Sequence, residues 1–429
     1  MKEIIRTILN EWKVRKLPEV LQREIDLFPY TKMNPKKIIV IPGFRRTGKT
    51  YLMFNLIMKL LQEIPKEEIV YINFEDERIP SQTQFLSDLL PTLHSFYHKK
   101  VRYLFLDEVH NMPNWSKWLR RIYDTEELCI FVTGSSSKMS TKEIPTELRG
   151  RYLQHELLPL SFQEFLVFKK IKITKNISSS EEQLIHRSLQ EYIDYGGMPE
   201  VVLTSEERKL EFIQSYYNSV IRRDIIERNK IRNEEILKAC LRLLLNSTTI
   251  TISKLYNTLK SLQLKTGKGT IHHYLGYIEN SYFIYTVSVF SFKMKDQMQY
   301  PRKVYFVDVG FLNISNKFSH DYGRKYENIV YLHLRRKVKS PDEIYYWKNA
   351  QHEEVDFVLK PGLKVKQLVQ VCYDISDYDT KKREIKALLK GSSELKCNNL
   401  IVITEDLEKK ESIKGKTIKY IPLWKYLLE

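Results

Sequence analysis

A chain of 429 residues is more than one hydrophobic core organises, and 42% hydrophobic with 29% charged residues predicts several packed globular domains. No apolar run approaches the ~20 residues that span a bilayer, and Glu3, Arg6 and Glu11 break up the N-terminal helix, so neither a membrane protein nor a secretory leader is expected. The net charge of +17 favours a polyanion as partner, although the same abundance of Lys, Ile, Asn and Tyr follows from an AT-biased genome, so where the charge lies matters more than its sum.

After the N-terminal helices (residues 1–33), residues 36–42 form an Ile- and Val-rich run ending at Gly43, which predicts a buried strand feeding a turn. Helical spacing follows over residues 50–62. Further buried strands are predicted over 69–74, 101–106 and 128–132. Strands alternating with helices predict an α/β fold with a parallel sheet, here a module over residues 34–170. A helical segment, 171–233, is interrupted at Gly196-Gly197-Met198-Pro199. Residues 234–310 read as three helices (235–246, 252–261, 270–280) and two strands (282–292, 303–307), the pattern of a winged helix-turn-helix. The remainder, 320–429, predicts a small α/β domain: helix 323–338, strands 343–347, 354–360 and 368–373, helix 379–390 and strand 400–403. Cys129, Cys240, Cys372 and Cys397 are far apart with no C-x-x-C pair, which fits a reducing cytoplasm better than a disulfide framework or a zinc knuckle.

Gly43-Phe44-Arg45-Arg46-Thr47-Gly48-Lys49-Thr50 matches G-x-x-x-x-G-K-[ST] in full, between a predicted strand and a predicted helix. The glycines free backbone N–H groups to cradle phosphates at a helix N-terminus, Lys49 suits the β- and γ-phosphates, and the Thr50 hydroxyl suits Mg²⁺; Arg46, Thr47 and Tyr51 complete the candidate ATP contacts. The apolar run ending Asp107-Glu108 supplies a metal carboxylate (Asp107) and a residue to polarise the attacking water (Glu108). The strand ending Thr133-Gly134-Ser135-Ser136 offers Thr133 or Ser135 to sense the γ-phosphate, unless both merely cap the chain.

GFRRTGKT, LFLDEVHNMPNW, FVTGSSS, ELRGRY and LPLSFQEFL, in this order, resemble a family of archaeal and bacterial AAA+-type ATPases in which a winged helix and a restriction-endonuclease-like domain follow the nucleotide module. The resemblance implies Mg-ATP as ligand, a helical lid, and GGMPE placing Pro199 against adenine. It also implies an arginine that stabilises the transferred phosphoryl group, with Arg149, Arg151 and Arg223 as candidates within the chain or on a neighbouring copy.

Around the expected winged helix, ten Lys or Arg (Lys303 among them) face three acids. The third helix, opening near Lys265 and Lys268 and presenting His272, His273 and Tyr274, is the candidate DNA reader. In the last domain Glu327, Asp356 and Gln370 resemble the acid, Asp and (E/Q) of a restriction-endonuclease core. Cys372 stands where that core needs Lys, and Lys366 or Lys348 would have to migrate in, so cleavage is not expected. The leading expectation is therefore an ATP-hydrolysing switch acting on DNA. A regulatory ATPase gripping a protein partner, an ATP-coupled nuclease and self-assembly stay open as alternatives.

Overall fold

The computed structural model describes residues 1–97, 99–135, 146–174, 176–314, 321–338, 340 and 343–429. They form two compact units, residues 1–159 with 280–282, and residues 160–279 with 283–429.

The first unit opens with α1 (Lys2–Val14) and continues β1 (Ile38–Pro42), α2 (Lys49–Leu60), β2 (Ile69–Asn73), α3 (Thr83–Phe96), β3 (Tyr103–Asp107), α4 (Trp115–Thr125), β4 (Cys129–Gly134) and β5 (Tyr152–Gln154). The five strands make one parallel sheet in the order β2-β3-β4-β1-β5. The strands are continuous apolar runs because both faces are covered. Ile38, Val40, Val70, Ile72, Leu104, Leu106, Ile130 and Val132 face a core built with α1, α3 and α4. The alternate residues Ile39, Ile41, Tyr71, Phe105 and Phe131 face a second core with α2. The parallel α/β architecture is the expected one. The edge strand β5 was not expected: three residues are too few to show a period.

The second unit begins with α5 (Phe162–Phe168), α6 (Ser179–Tyr195), α7 (Pro199–Leu203) and α8 (Glu206–Ser219), which runs on as a π-helix over Val220–Glu227. Ser161 and Ser178 close the N-termini of α5 and α6 with capping boxes to Glu164 and Glu181. Then come α9 (Glu234–Leu245), β6 (Thr249–Ile250), α10 (Ile252–Ser261), α11 (Lys268–Asn280), β7 (Ile284–Val287), α12 (Met294–Gln299) and β8 (Arg302–Phe306). The three strands pair antiparallel in the order β6-β8-β7. The expected long strand over 282–292 is shorter, with α12 between the hairpin strands.

The chain ends with α13 (Tyr322–Lys337), β9 (Ile344–Lys348), β10 (Glu354–Leu359), β11 (Gln367–Val371), α14 (Tyr378–Glu394), β12 (Leu400–Thr404), β13 (Lys409–Ile413), β14 (Lys416–Pro422) and α15 (Leu423–Leu428). Their strands form a mixed sheet, β13-β14-β12-β11-β10-β9. The outer edge of β9 is met by the segment after β7: Phe290 N–H donates to Tyr346 O at 2.6 Å and Tyr346 N–H to Ser288 O at 3.2 Å. The hairpin β13/β14 and helix α15 were not anticipated from sequence. All four cysteines are free and buried, and among the described residues no helix is long and apolar enough to cross a membrane.

Candidate nucleotide-binding site

The loop after β1 hands directly to α2, whose first residue is Lys49. Space and conformation dictate its two glycines. A Cβ at Gly43 would stand 2.4 Å from the Leu157 carbonyl oxygen, and Gly48 sits at φ 93°, where side chains are strained. Arg46, exposed, also takes a left-handed φ of 66°. Buried Thr47 donates its hydroxyl to Phe44 O at 2.9 Å. Arg23, also buried, ties the loop down by donating to Thr47 O at 2.8 Å and Leu158 O at 2.9 Å. The N-terminus of α2 brings its partial positive charge to this loop.

Lys49 is buried, its Nζ donating to Gly43 O at 3.2 Å and Phe44 O at 3.1 Å and lying 3.4 Å from Glu108 Oε1. Thr50 on α2 donates its hydroxyl to Asp107 Oδ2 at 2.7 Å, and Tyr71 on β2 donates to the same oxygen at 2.8 Å. Thr133 on β4 donates to Asp107 Oδ1 and accepts the Glu108 N–H at 2.9 Å. The ends of β1, β3 and β4, neighbours in the sheet, thus bring Lys49, Thr50, Asp107, Glu108 and Thr133 into one buried cluster.

Glu108 occupies a left-handed backbone well at φ 52°, a strain of about 1–3 kcal/mol for a residue with a Cβ. It lets the carboxylate accept the Ser135 N–H at 2.9 Å and lie 3.2 Å from His110 Nδ1. The two neighbouring carboxyls diverge. Burial, then the charge of Glu108, pushes Asp107 above the ordinary carboxylate range. Burial also pushes Glu108 up, but Lys49, His110 and the Ser135 N–H outweigh it and hold this carboxyl below its usual value. Glu108 is the acid kept ionised, as polarising a water requires.

Thr50 Oγ1 and Asp107 are hard oxygen donors, and Mg²⁺ is held by one or two protein oxygens beside substrate phosphates, so the pair fits that ion. Among the described residues no group of three His, Cys, Asp or Glu is arranged to hold a metal unaided.

The other sequence-derived candidates have the following places. Tyr51 is exposed on α2. Arg151 bonds Asp124 at 3.0 Å, and its carbonyl accepts the Ile38 N–H at the start of β1, the opposite end of the strand from the Gly43–Thr50 loop. Exposed Arg149 is two residues away, so neither arginine is brought to the cluster of its own chain. Arg223 is exposed on the π-helix and Pro199 opens α7, both in the second unit. Ser136 and Ser137 lie outside the described residues. Arg23, Tyr71 and His110 are site neighbours that sequence reasoning missed. Only Tyr71 carried a signal, a phenol in an otherwise aliphatic buried strand.

Glu327, Asp356 and Gln370 do come together in the second unit, on α13, β10 and β11. Gln370 Oε1 accepts the Asp356 N–H at 3.3 Å, and Asp356 falls where the β9/β10 register shifts. Lys366 is exposed, and Lys348 reaches Glu354, at 3.0 Å. Two sequence readings need correction. Tyr274 is not presented by α11 but buried, its hydroxyl 3.4 Å from Asn233 O. Lys303 adds nothing to a basic surface, because β8 turns it inward, where it is buried.

Residues 35–166 match the AAA domain family, residues 186–321 a domain of unknown function (DUF8612), and residues 322–426 another (DUF4143). The uncharacterized protein MJ1544 of Methanocaldococcus jannaschii is 38% identical over 98% of this chain and 94% of its own. An uncharacterized protein of Haemophilus influenzae is 29% identical over 79% of this chain and 83% of its own. Among solved structures, the ORC1 protein of Aeropyrum pernix in complex with DNA aligns over 72% of this chain and 89% of its own, at 12% identity and a TM-score of 0.30, below the level of a shared overall fold.

Proposed function

We propose, because the chain belongs to one family with the M. jannaschii protein MJ1544 and its residues 35–166 match the AAA domain, that it binds ATP with Mg²⁺ at the Gly43–Thr50 loop and hydrolyses it as a molecular switch. The observation that carries this reading is the convergence of Lys49, Thr50, Asp107 and Glu108 in one buried cluster, joined through contacts of 2.7 Å (Thr50 to Asp107) and 3.4 Å (Lys49 to Glu108).

In this reading the loop N–H groups and Lys49 bind the phosphates, and the Gly43 and Phe44 carbonyls aim the lysine. Thr50 and Asp107 hold Mg²⁺, which when bound neutralises charge on the phosphate oxygens. Glu108 takes the proton of the attacking water, and Lys49 keeps that carboxylate ionised between turnovers. Thr133 links the two acids, so a change at Asp107 is felt at the Glu108 backbone. The arginine that completes the site comes from outside this cluster, with Arg149 or Arg151 serving a neighbouring copy. The direct test is release of phosphate from ATP by the purified chain, with Lys49→Ala as the binding-dead control.

DNA is the partner this reading favours, with residues 234–310 as a winged helix. The order of α9, β6, α10, α11 and the β7/β8 hairpin supports it, as does the exposure of Lys265, Lys268, His272 and His273 along one stretch. Changing Lys265 and Lys268 together to Ala is expected to weaken binding evenly across DNA sequences and to lower the slope of log K against log salt by about 2. A gel shift with duplex, forked and single-stranded DNA at several salt concentrations checks it, and an intact protein that ignores DNA at low salt removes DNA from the proposal. Nuclease chemistry is no part of this reading, since Cys372 is buried with its thiol pushed up to about 12, chiefly by burial, and replaces the needed cation.

A further inference from the structure

A second constellation, independent of the nucleotide site, lies where β8 meets the C-terminal sheet. Lys303 is 3% exposed, and its Nζ lies 2.8 Å from Glu327 Oε1, 2.9 Å from Glu354 Oε1 and 2.8 Å from Asp356 Oδ1. The carboxylates come from α13 and β10, whereas the lysine comes from a strand of the other, three-stranded sheet. Each acid is anchored a second time: Glu327 by the Tyr305 hydroxyl at 2.6 Å, Glu354 by Lys348 at 3.0 Å, and Asp356 by the Val371 N–H at 2.8 Å. Asn328 fastens β8 to α13 by accepting the Phe306 N–H at 2.7 Å and donating to Phe306 O at 3.0 Å.

Three carboxylates converging on one buried point repel one another prohibitively in a low dielectric unless a cation stands among them; as they stand, gathered on a lysine, they are not a group that could hold a metal. Here the point is filled by an ammonium group. Burial works against that charge, but Asp356, Glu327 and Glu354 outweigh it and hold the lysine well above its ordinary value. Burial also lifts the Asp356 carboxyl, against the pull of Lys303.

We propose that Lys303 is the resident cation of this carboxylate cluster, standing where a divalent metal ion would otherwise sit, so that the docked β7/β8 hairpin both closes the C-terminal domain to metal and is locked to it. A metal at that point would need the oxygens drawn in by only about 0.5 Å. The cluster is therefore a latent metal site that opens only when β8 is withdrawn or Lys303 is neutralised.

The test is Mn²⁺ uptake by the full-length, nucleotide-free protein, followed by loss of the free-ion EPR signal on titration with MnCl₂. Wild type is expected to show no uptake that Asp356→Asn removes. Lys303→Ala is expected to gain one Mn²⁺ per chain and to melt higher with Mn²⁺ than in EDTA, and adding Asp356→Asn to it is expected to abolish both. Asp356-dependent uptake by wild type overturns the proposal, as does a folded Lys303→Ala that gains no ion. Lys303→Gln, neutral but similar in volume, serves should the alanine variant not fold. If both fail in EDTA, refolding in MnCl₂ decides: recovery supports the proposal and continued failure overturns it.

Discussion

Glu108→Gln is expected to leave ATP affinity near that of the wild type while turnover falls by about 10²–10⁴-fold, the usual worth of a positioned base. The amide keeps the volume and can still accept the Ser135 N–H that the carboxylate accepts at 2.9 Å. What it loses is basicity and the charge opposite Lys49, 3.4 Å away. The loop, Lys49, Thr50 and Asp107 are untouched, so binding of a fluorescent ATP analogue should hold while phosphate release stops. Undiminished release by a variant that binds ATP would remove Glu108 from the chemistry and leave the water without a base among the cluster's residues.

The largest expected stability effect lies at Asp308, in the second unit. Its fully buried carboxylate accepts the Gly197 N–H at 2.7 Å and the Gly310 N–H at 2.9 Å, fastening the Gly196-Gly197-Met198-Pro199 turn. Asp308→Ala strands two buried donors, each costing about 1–3 kcal/mol, so a loss of about 2–5 kcal/mol is expected in denaturant unfolding. The position also titrates. Burial raises the carboxyl from 3.8 to about 6 against the pull of its two N–H donors. Between those values the folded chain binds more protons than the unfolded one, so this group's contribution is fully present below 3.8 and is lost as pH rises through about 6. Wild type should therefore gain on Asp308→Asn by about 2 kcal/mol when both are taken from pH 7 to pH 4. The opposing carboxylates elsewhere act alike in both proteins and cancel. Parallel pH profiles would show that Asp308 does not titrate there.

The parallel sheet and the Gly43–Thr50 turn into α2 were legible because continuous buried strands and a loop of fixed glycines leave local marks. The position of Asp107 and Glu108 at the end of β3 was legible for the same reason, since they close an apolar run. What the sequence withheld depends on contacts between distant segments. Arg23 lies far in the chain from the Leu158 carbonyl it holds, and no spacing links them. Tyr274 was misread because helical phase, not proximity to a basic loop, decides which side of α11 is buried. Lys303 could have been found: strand alternation puts it on one face with Tyr305, and a lysine inside Lys303-Val304-Tyr305-Phe306 asks for a partner. Taken instead as one more surface cation, it hid the carboxylates it neutralises.

The segment bonded along β9 also decides how this protein can be handled in pieces. A fragment starting after residue 320 would bare the Ile344–Lys348 edge, rich in tyrosine and tryptophan, whereas the opposite edge is guarded by Lys409 and Lys410 on β13. Such a fragment is expected to self-associate edge to edge, visible in light scattering, and one that begins before β7 should stay monodisperse. The hairpin is then a built-in solubility tag for the sheet it touches.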